Sequence, residues 1–140
     1  MPTLKQKIIF LLAVTLLLSG CARLSLNQAV VELQNEQTVL TIRLSNKGTP
    51  IYLKPLEAKI RDNLGSEFSA LDYTGNLTDP IGDGYGESVS GTIIFPPIDP
   101  NSERVQVEII SSLLSGEQSY VSKIGGEITD GISAELVFGR

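Results

Sequence analysis

Val39-Leu40-Thr41-Ile42-Arg43-Leu44-Ser45-Asn46-Lys47-Gly48 is the stretch on which the fold turns. Successive side chains of a strand point to opposite faces, so Leu40, Ile42 and Leu44 share one face and Val39, Thr41 and Arg43 the other. The run then meets Asn46-Lys47-Gly48, a turn-forming group that ends the strand. The same period of two recurs along the chain. Leu56, Ala58 and Ile60 alternate with Glu57, Lys59 and Arg61. Val89, Gly91, Ile93 and Phe95 alternate with Ser90, Thr92 and Ile94. Val105, Val107 and Ile109 alternate with Gln106 and Glu108, and Ile132, Ala134, Leu136 and Phe138 with Ser133, Glu135 and Val137. No stretch carries a convincing helical period.

Turn chemistry separates these runs. Asp62-Asn63-Leu64-Gly65 predicts a hairpin connection into Glu67-Phe68, and Pro96-Pro97 with Asp99-Pro100-Asn101 breaks the chain before Val105. Asp130-Gly131 predicts a two-residue type I′ hairpin, because both central residues need positive φ. Leu24 and Leu26 have one parity and Ala29, Val31 and Leu33 the other, so a bulge is expected near Asn27-Gln28. Gly91 inside a strand predicts a bulge or a close backbone approach. About seven to nine short strands, each with one apolar face, predict an all-β, antiparallel β-sandwich, with a small closed barrel as the alternative.

The composition narrows function. The chain has 140 residues, no His, no Trp and one cysteine, Cys21. Ser–His and Cys–His nucleophilic pairs and the usual zinc and copper sites are therefore excluded, while a calcium site of carboxylates and carbonyls is not. The formal net charge is −5. Without Lys5 and Lys7, nine basic and sixteen acidic residues remain, a net of −7. Such a surface repels phosphate backbones, so nucleic acid is not an expected partner.

Lys5 and Lys7 precede an apolar core over residues 8–18. As a helix this core covers about 17 Å, too short for a hydrocarbon layer of roughly 30 Å, which is the length of a signal peptide. Its ending, Leu18-Ser19-Gly20-Cys21, resembles the lipobox of bacterial lipoproteins. That resemblance implies a diacylglyceryl thioether on Cys21, cleavage before Cys21 with Leu18, Ser19 and Gly20 as the recognition residues, and in many bacteria an N-acyl chain. Two or three chains anchor stably where one does not. Ala22 follows in place of the Asp that retains such proteins in the inner membrane, so either the cell membrane or an outer membrane is compatible. The expected organisation is a removed segment over 1–20, a lipidated end and short tether over 21–28, and one domain over 29–140.

Two further runs resemble a known family. Thr41-Ile42-Arg43-Leu44-Ser45-Asn46-Lys47-Gly48 and Gly86-Glu87-Ser88-Val89-Ser90-Gly91-Thr92-Ile93-Ile94-Phe95-Pro96 are similar to segments of the immunoglobulin-like extracytoplasmic domains of unknown function found in many bacterial lipoproteins. Asp62 and Gly65 match its Asp-x-x-Gly turn, and residues 105–109 its final apolar strand. The resemblance spans about 30–110 and implies an immunoglobulin-like sandwich; the family has no agreed catalytic residues. The 79–86 loop and an added hairpin over 120–138 depart from it.

The most unusual segment is Thr78-Asp79-Pro80-Ile81-Gly82-Asp83-Gly84-Tyr85-Gly86-Glu87. Asp79, Asp83 and Glu87 offer hard oxygen ligands to calcium, and Tyr73 and Tyr85 flank them with rings suited to a glycan or a protein contact. The EF-hand spacing is not met. The plainer expectation is a solvated, flexible strand connection. Asp72 with Asp83, or Asp79 with Glu87, are the carboxylate pairs that glycoside hydrolysis would use, but no nucleophile–base constellation accompanies them. Asn76-Leu77-Thr78 fits a glycosylation sequon, incidental beside a bacterial lipobox. The expected function is a non-catalytic, lipid-anchored envelope protein without a cofactor beyond its acyl groups, whose surface meets another envelope protein. A calcium- or wall-glycan-binding module built on the 72–87 loop is the alternative.

Overall fold

The computed structural model describes residues 22–116 and 118–139. Cys21 and the recognition residues Leu18, Ser19 and Gly20 lie outside the described residues. Apart from one 3₁₀ turn the described residues are all-β, and their strands pair antiparallel. Its strands are β1 (Ala22–Leu33), β2 (Thr38–Gly48), β3 (Ile51–Leu53), β4 (Lys59–Asp62), β5 (Glu67–Ser69), β6 (Asp72–Tyr73), β7 (Ser88–Phe95), β8 (Arg104–Leu113), β9 (Ser119–Thr129), β10 (Ile132–Ser133) and β11 (Val137–Phe138). Nine of them follow one hydrogen-bonded path, β5-β4-β8-β9-β10-β1-β2-β7-β6, with β3 attached to β8 and β11 to β9.

The path curls on itself through β9. Residues 119–127 of that strand pair with β8, while Thr129 and Ile128 pair with Ile132 and Ser133 of β10, which leads to β1. Both arms of the curl supply one core: Ala29, Val31, Leu40, Ile42, Leu44, Val89, Ile93 and Phe95 from one, Ile51, Leu53, Ile60, Val105, Val107, Ile109 and Ile124 from the other. At about 25 cal/mol per Å² of apolar surface withdrawn from water, this shared burial is the main term that favours the fold.

The alternation of β2, β7 and β8 places its apolar parity in this core as expected. The bulge falls between Leu26 and Gln28, and Asp130 and Gly131 form their turn at φ 53° and 81°. A Cβ on Gly91 would stand 2.0 Å from the Thr74 carbonyl oxygen, so this strand glycine marks a close backbone approach.

Three expectations are corrected. Leu56 is exposed, because Pro55–Glu57 winds into a 3₁₀ turn and the strand begins only at Lys59. The proposed strand over 132–138 is broken. Ser133 and Leu136 are buried while Ile132, Ala134 and Phe138 are exposed. The Ser133 hydroxyl accepts a hydrogen bond from the Val31 amide at 2.8 Å, so a polar residue takes the inner place and the chain leaves the pairing before Leu136. Residues 22–28, read as a tether, belong to β1 and pair with β2 out to Ala22↔Gly48.

Candidate functional site

The unusual loop is built from β6 to β7 and is held at several points. Asn76 accepts the Ser90 amide on its Oδ1 at 2.9 Å, and its own amide donates to the Ser90 carbonyl at 3.2 Å. Leu77 is fully buried in the core. Ile81 is buried as well, and it exchanges two 2.9 Å backbone hydrogen bonds with Ile51. The Asp83 amide donates to the Gly48 carbonyl at 2.8 Å, and a turn closes through the Tyr85 amide and the Gly82 carbonyl at 3.0 Å. The expectation of a flexible connection is thereby revised: two apolar side chains pin a segment whose polar tips face water.

Asn46 joins this loop to the rest of the molecule. It continues the inward parity of Leu40, Ile42 and Leu44, and it is buried. Its Nδ2 donates to the Ile81 carbonyl at 2.8 Å and the Thr49 carbonyl at 3.0 Å. Its Oδ1 accepts the Arg23 amide at 2.9 Å, and its backbone amide donates to the Glu87 carbonyl at 3.0 Å. One side-chain amide thus uses both donors and an acceptor on β1, the 48–50 corner and the 81–87 loop. Sequence reasoning treated Asn46 only as part of a turn. A polar residue on the buried parity was the signal that it had to be hydrogen-bonded.

The expected ligand residues are placed apart. Asp79, Asp83, Tyr85 and Glu87 are exposed. Tyr73 is half-buried and lines a hollow of about 270 Å³ with Tyr52, Leu53, Pro55, Leu56 and Thr78, of which Tyr85 and the three carboxylates are not part. Among the described residues no three His, Cys, Asp or Glu side chains group as a metal ion would require. Asp72 is opposite Ile94 and Asp83 is bonded beside Gly48, near the Ser88 end of β7. At about 3.4 Å per residue these positions are roughly 20 Å apart, beyond the spacing of a glycosidase pair.

Two other features carry charge or space. A hollow of about 420 Å³ at the opposite end of the molecule is lined by Arg61, Asp62, Asn63, Arg104, Val105 and neighbouring residues. Asp62 Oδ1 there accepts the amides of Leu64 and Ser66, both at 2.9 Å, while its buried Oδ2 has no partner. On the adjoining hairpin Arg61 bonds Glu67, with Lys59 3.8 Å from the same carboxylate. The hydrogen bond from Arg61 holds the Glu67 carboxyl below its ordinary range.

The chain matches no family model, and no curated protein or solved structure is significantly similar to it.

Proposed function

We propose that this protein is a lipid-anchored, non-catalytic lipoprotein of the cell envelope whose domain presents an immunoglobulin-like, protein-binding surface. The observation that carries the reading is Leu18-Ser19-Gly20-Cys21, placed after Lys5, Lys7 and an eleven-residue apolar core and directly before the first strand. A diacylglyceryl group on Cys21, with an N-acyl chain where the host adds one, tethers the domain to the outer face of the cell membrane or to an outer membrane. The curl of the sheet supports the sandwich: its two arms face each other across a single core, joined through β9 and β10, through the Ile51–Ile81 backbone pair, and through residues 70–71, which bond Ala58 and Ile94. Short edge strands, β5 and β6, border the two arms and offer main-chain groups to another envelope protein.

The experiment is crosslinking of the lipidated protein in native membranes, beside a Cys21→Ser variant. The wild type is expected in the membrane fraction with a specific protein crosslink, and the variant in the soluble fraction. A variant that stays in the membrane, or a wild type that captures wall glycan and no protein, would overturn the corresponding half of the reading.

A further inference from the structure

The order of strands puts a defined end of the domain at Ala22, the residue that follows Cys21 in the sequence. Ala22 is opposite Gly48, the last residue of β2. The 48–50 corner is bonded on one side to the loop, through the Asp83 amide and the Gly48 carbonyl at 2.8 Å. On the other side it meets the β8–β9 connection, through the Leu114 amide and the Pro50 carbonyl at 3.2 Å. Ser119, the first residue of β9, is opposite Ser112, so β9 also starts here. Three loops and the first residue of β1 therefore form a single end.

That end exposes large apolar and aromatic side chains among its polar tips. Tyr85, Leu114, Tyr120 and Val121 all belong to it and are 51, 39, 43 and 55 % exposed. Its described charged residues are mixed: Arg23 and Lys47 against Asp83 and Glu87, all exposed. The far end is different. Glu36, Asp99, Glu103 and Asp130 are exposed around the turns that close β1, β7 and β9, with Arg61, Arg104, Leu64 and Ile132 exposed at the same end. The two ends differ in kind: the attachment end exposes two tyrosines beside Leu114 and Val121, and the far end exposes Leu64 and Ile132 among mostly acidic tips.

We propose that the end bearing Tyr85, Leu114, Tyr120 and Val121 is a seat on the lipid surface, resting in the interfacial layer of the bilayer that holds the Cys21 acyl chains. The proposal rests on the lipobox reading. Cys21 is one residue, about 3.8 Å, from Ala22. The polar interfacial layer is roughly 5–8 Å deep on each side of the hydrocarbon. With the thioether at that level, no spacer separates these side chains from it. Tyrosines are suited to the layer, with an apolar ring and a hydroxyl that stays wet. Balanced charges match zwitterionic head groups, and the acidic end is turned away from the membrane, where it repels lipid phosphates least. The loop with Asp83 and Tyr85 accordingly contacts head groups and not a soluble ligand.

The chain has no Trp, so a single introduced Trp reports one place. Leu114→Trp and Tyr85→Trp mark the seat, and Leu64→Trp marks the exposed 62–66 turn at the far end. The full lipidated protein is reconstituted in phosphatidylcholine vesicles, with and without bromine near the carbonyl ends of the acyl chains. Leu114→Trp and Tyr85→Trp are expected to give blue-shifted emission that brominated lipid quenches, and Leu64→Trp an unshifted, unquenched signal. Vesicle-bound protein with no quenching at either seat position, or with equal quenching at all three, overturns the seat and leaves the anchor standing. A seat signal that shifts only when envelope proteins are added assigns this end to a protein and also overturns it. Protein that fails to float with the vesicles overturns anchor and seat together.

Discussion

At the scale of single residues, Asn46 joins segments that are far apart in sequence. Its amide reaches Arg23, Thr49 and Ile81, so it fixes the start of β1 against the corner and the loop. Asn46→Leu keeps the approximate volume and removes every one of those side-chain bonds. Buried polar groups left without partners cost about 1–3 kcal/mol each, so a loss of roughly 2–4 kcal/mol is expected, read as a lower urea midpoint with an unchanged slope. Gly91→Ala tests a contact of another kind. The new methyl would press on the Thr74 carbonyl oxygen at 2.0 Å, with Leu77 Cγ at 3.1 Å, and overpacking of this kind costs about 1–3 kcal/mol or more. A melting temperature equal to that of the wild type would contradict the approach of residues 74–75 to β7. Gly91 was legible, since glycine inside an alternating strand invites that reading. The role of Asn46 was not, because its partners are set by which strands lie side by side and no local pattern carries that.

At the scale of elements, strands with β-branched residues on a regular parity were readable: β2, β7 and β8 each bury one full face. Alternation misled where the chain leaves a pairing. Pro55 starts a 3₁₀ turn that throws Leu56 outward, and the hydroxyl of Ser133 replaces an apolar contact by bonding Val31. Neither event changes the written pattern. The paired segment 22–28 has a testable consequence. Deleting residues 22–28 from a soluble form should lower stability markedly in urea, because the ladder from Ala22↔Gly48 to Gln28↔Arg43 goes with it and Leu24 and Leu26 are lost from the core's edge. A tether would be removed without effect. The β4–β5 hairpin supplies a pH signature. Glu67 is held below its ordinary range by Arg61, so its folded form binds a proton less readily than the unfolded chain. The stabilisation is present above the ordinary Glu pKa and fades as pH falls through the lowered folded value. Glu67→Gln should therefore lower the neutral plateau slightly and leave stability at low pH unchanged, flattening the acid limb by that same small amount, as expected for an exposed pair.

At the scale of the whole molecule, the two ends differ, and the short distance from the proposed anchor to the fold is what would orient them. β1 begins at Ala22, so on the proposed lipidation of Cys21 the end bearing Tyr85 and Tyr120 is held down and the far end up without a flexible spacer. A spacer should uncouple anchoring from orientation. Six Gly/Ser residues inserted between Cys21 and Ala22 have an r.m.s. span of about 12–15 Å, more than the depth of the interfacial layer. The lipidated insertion variant is expected to remain fully in the membrane fraction, since the acyl chains are untouched. Its Leu114→Trp reporter should lose much of its quenching by brominated lipid, because four side chains alone hold the seat only weakly once the tether is slack. Quenching unchanged by the spacer would mean that the seat's own affinity for lipid, and not the distance from Cys21, sets how the domain stands on the membrane.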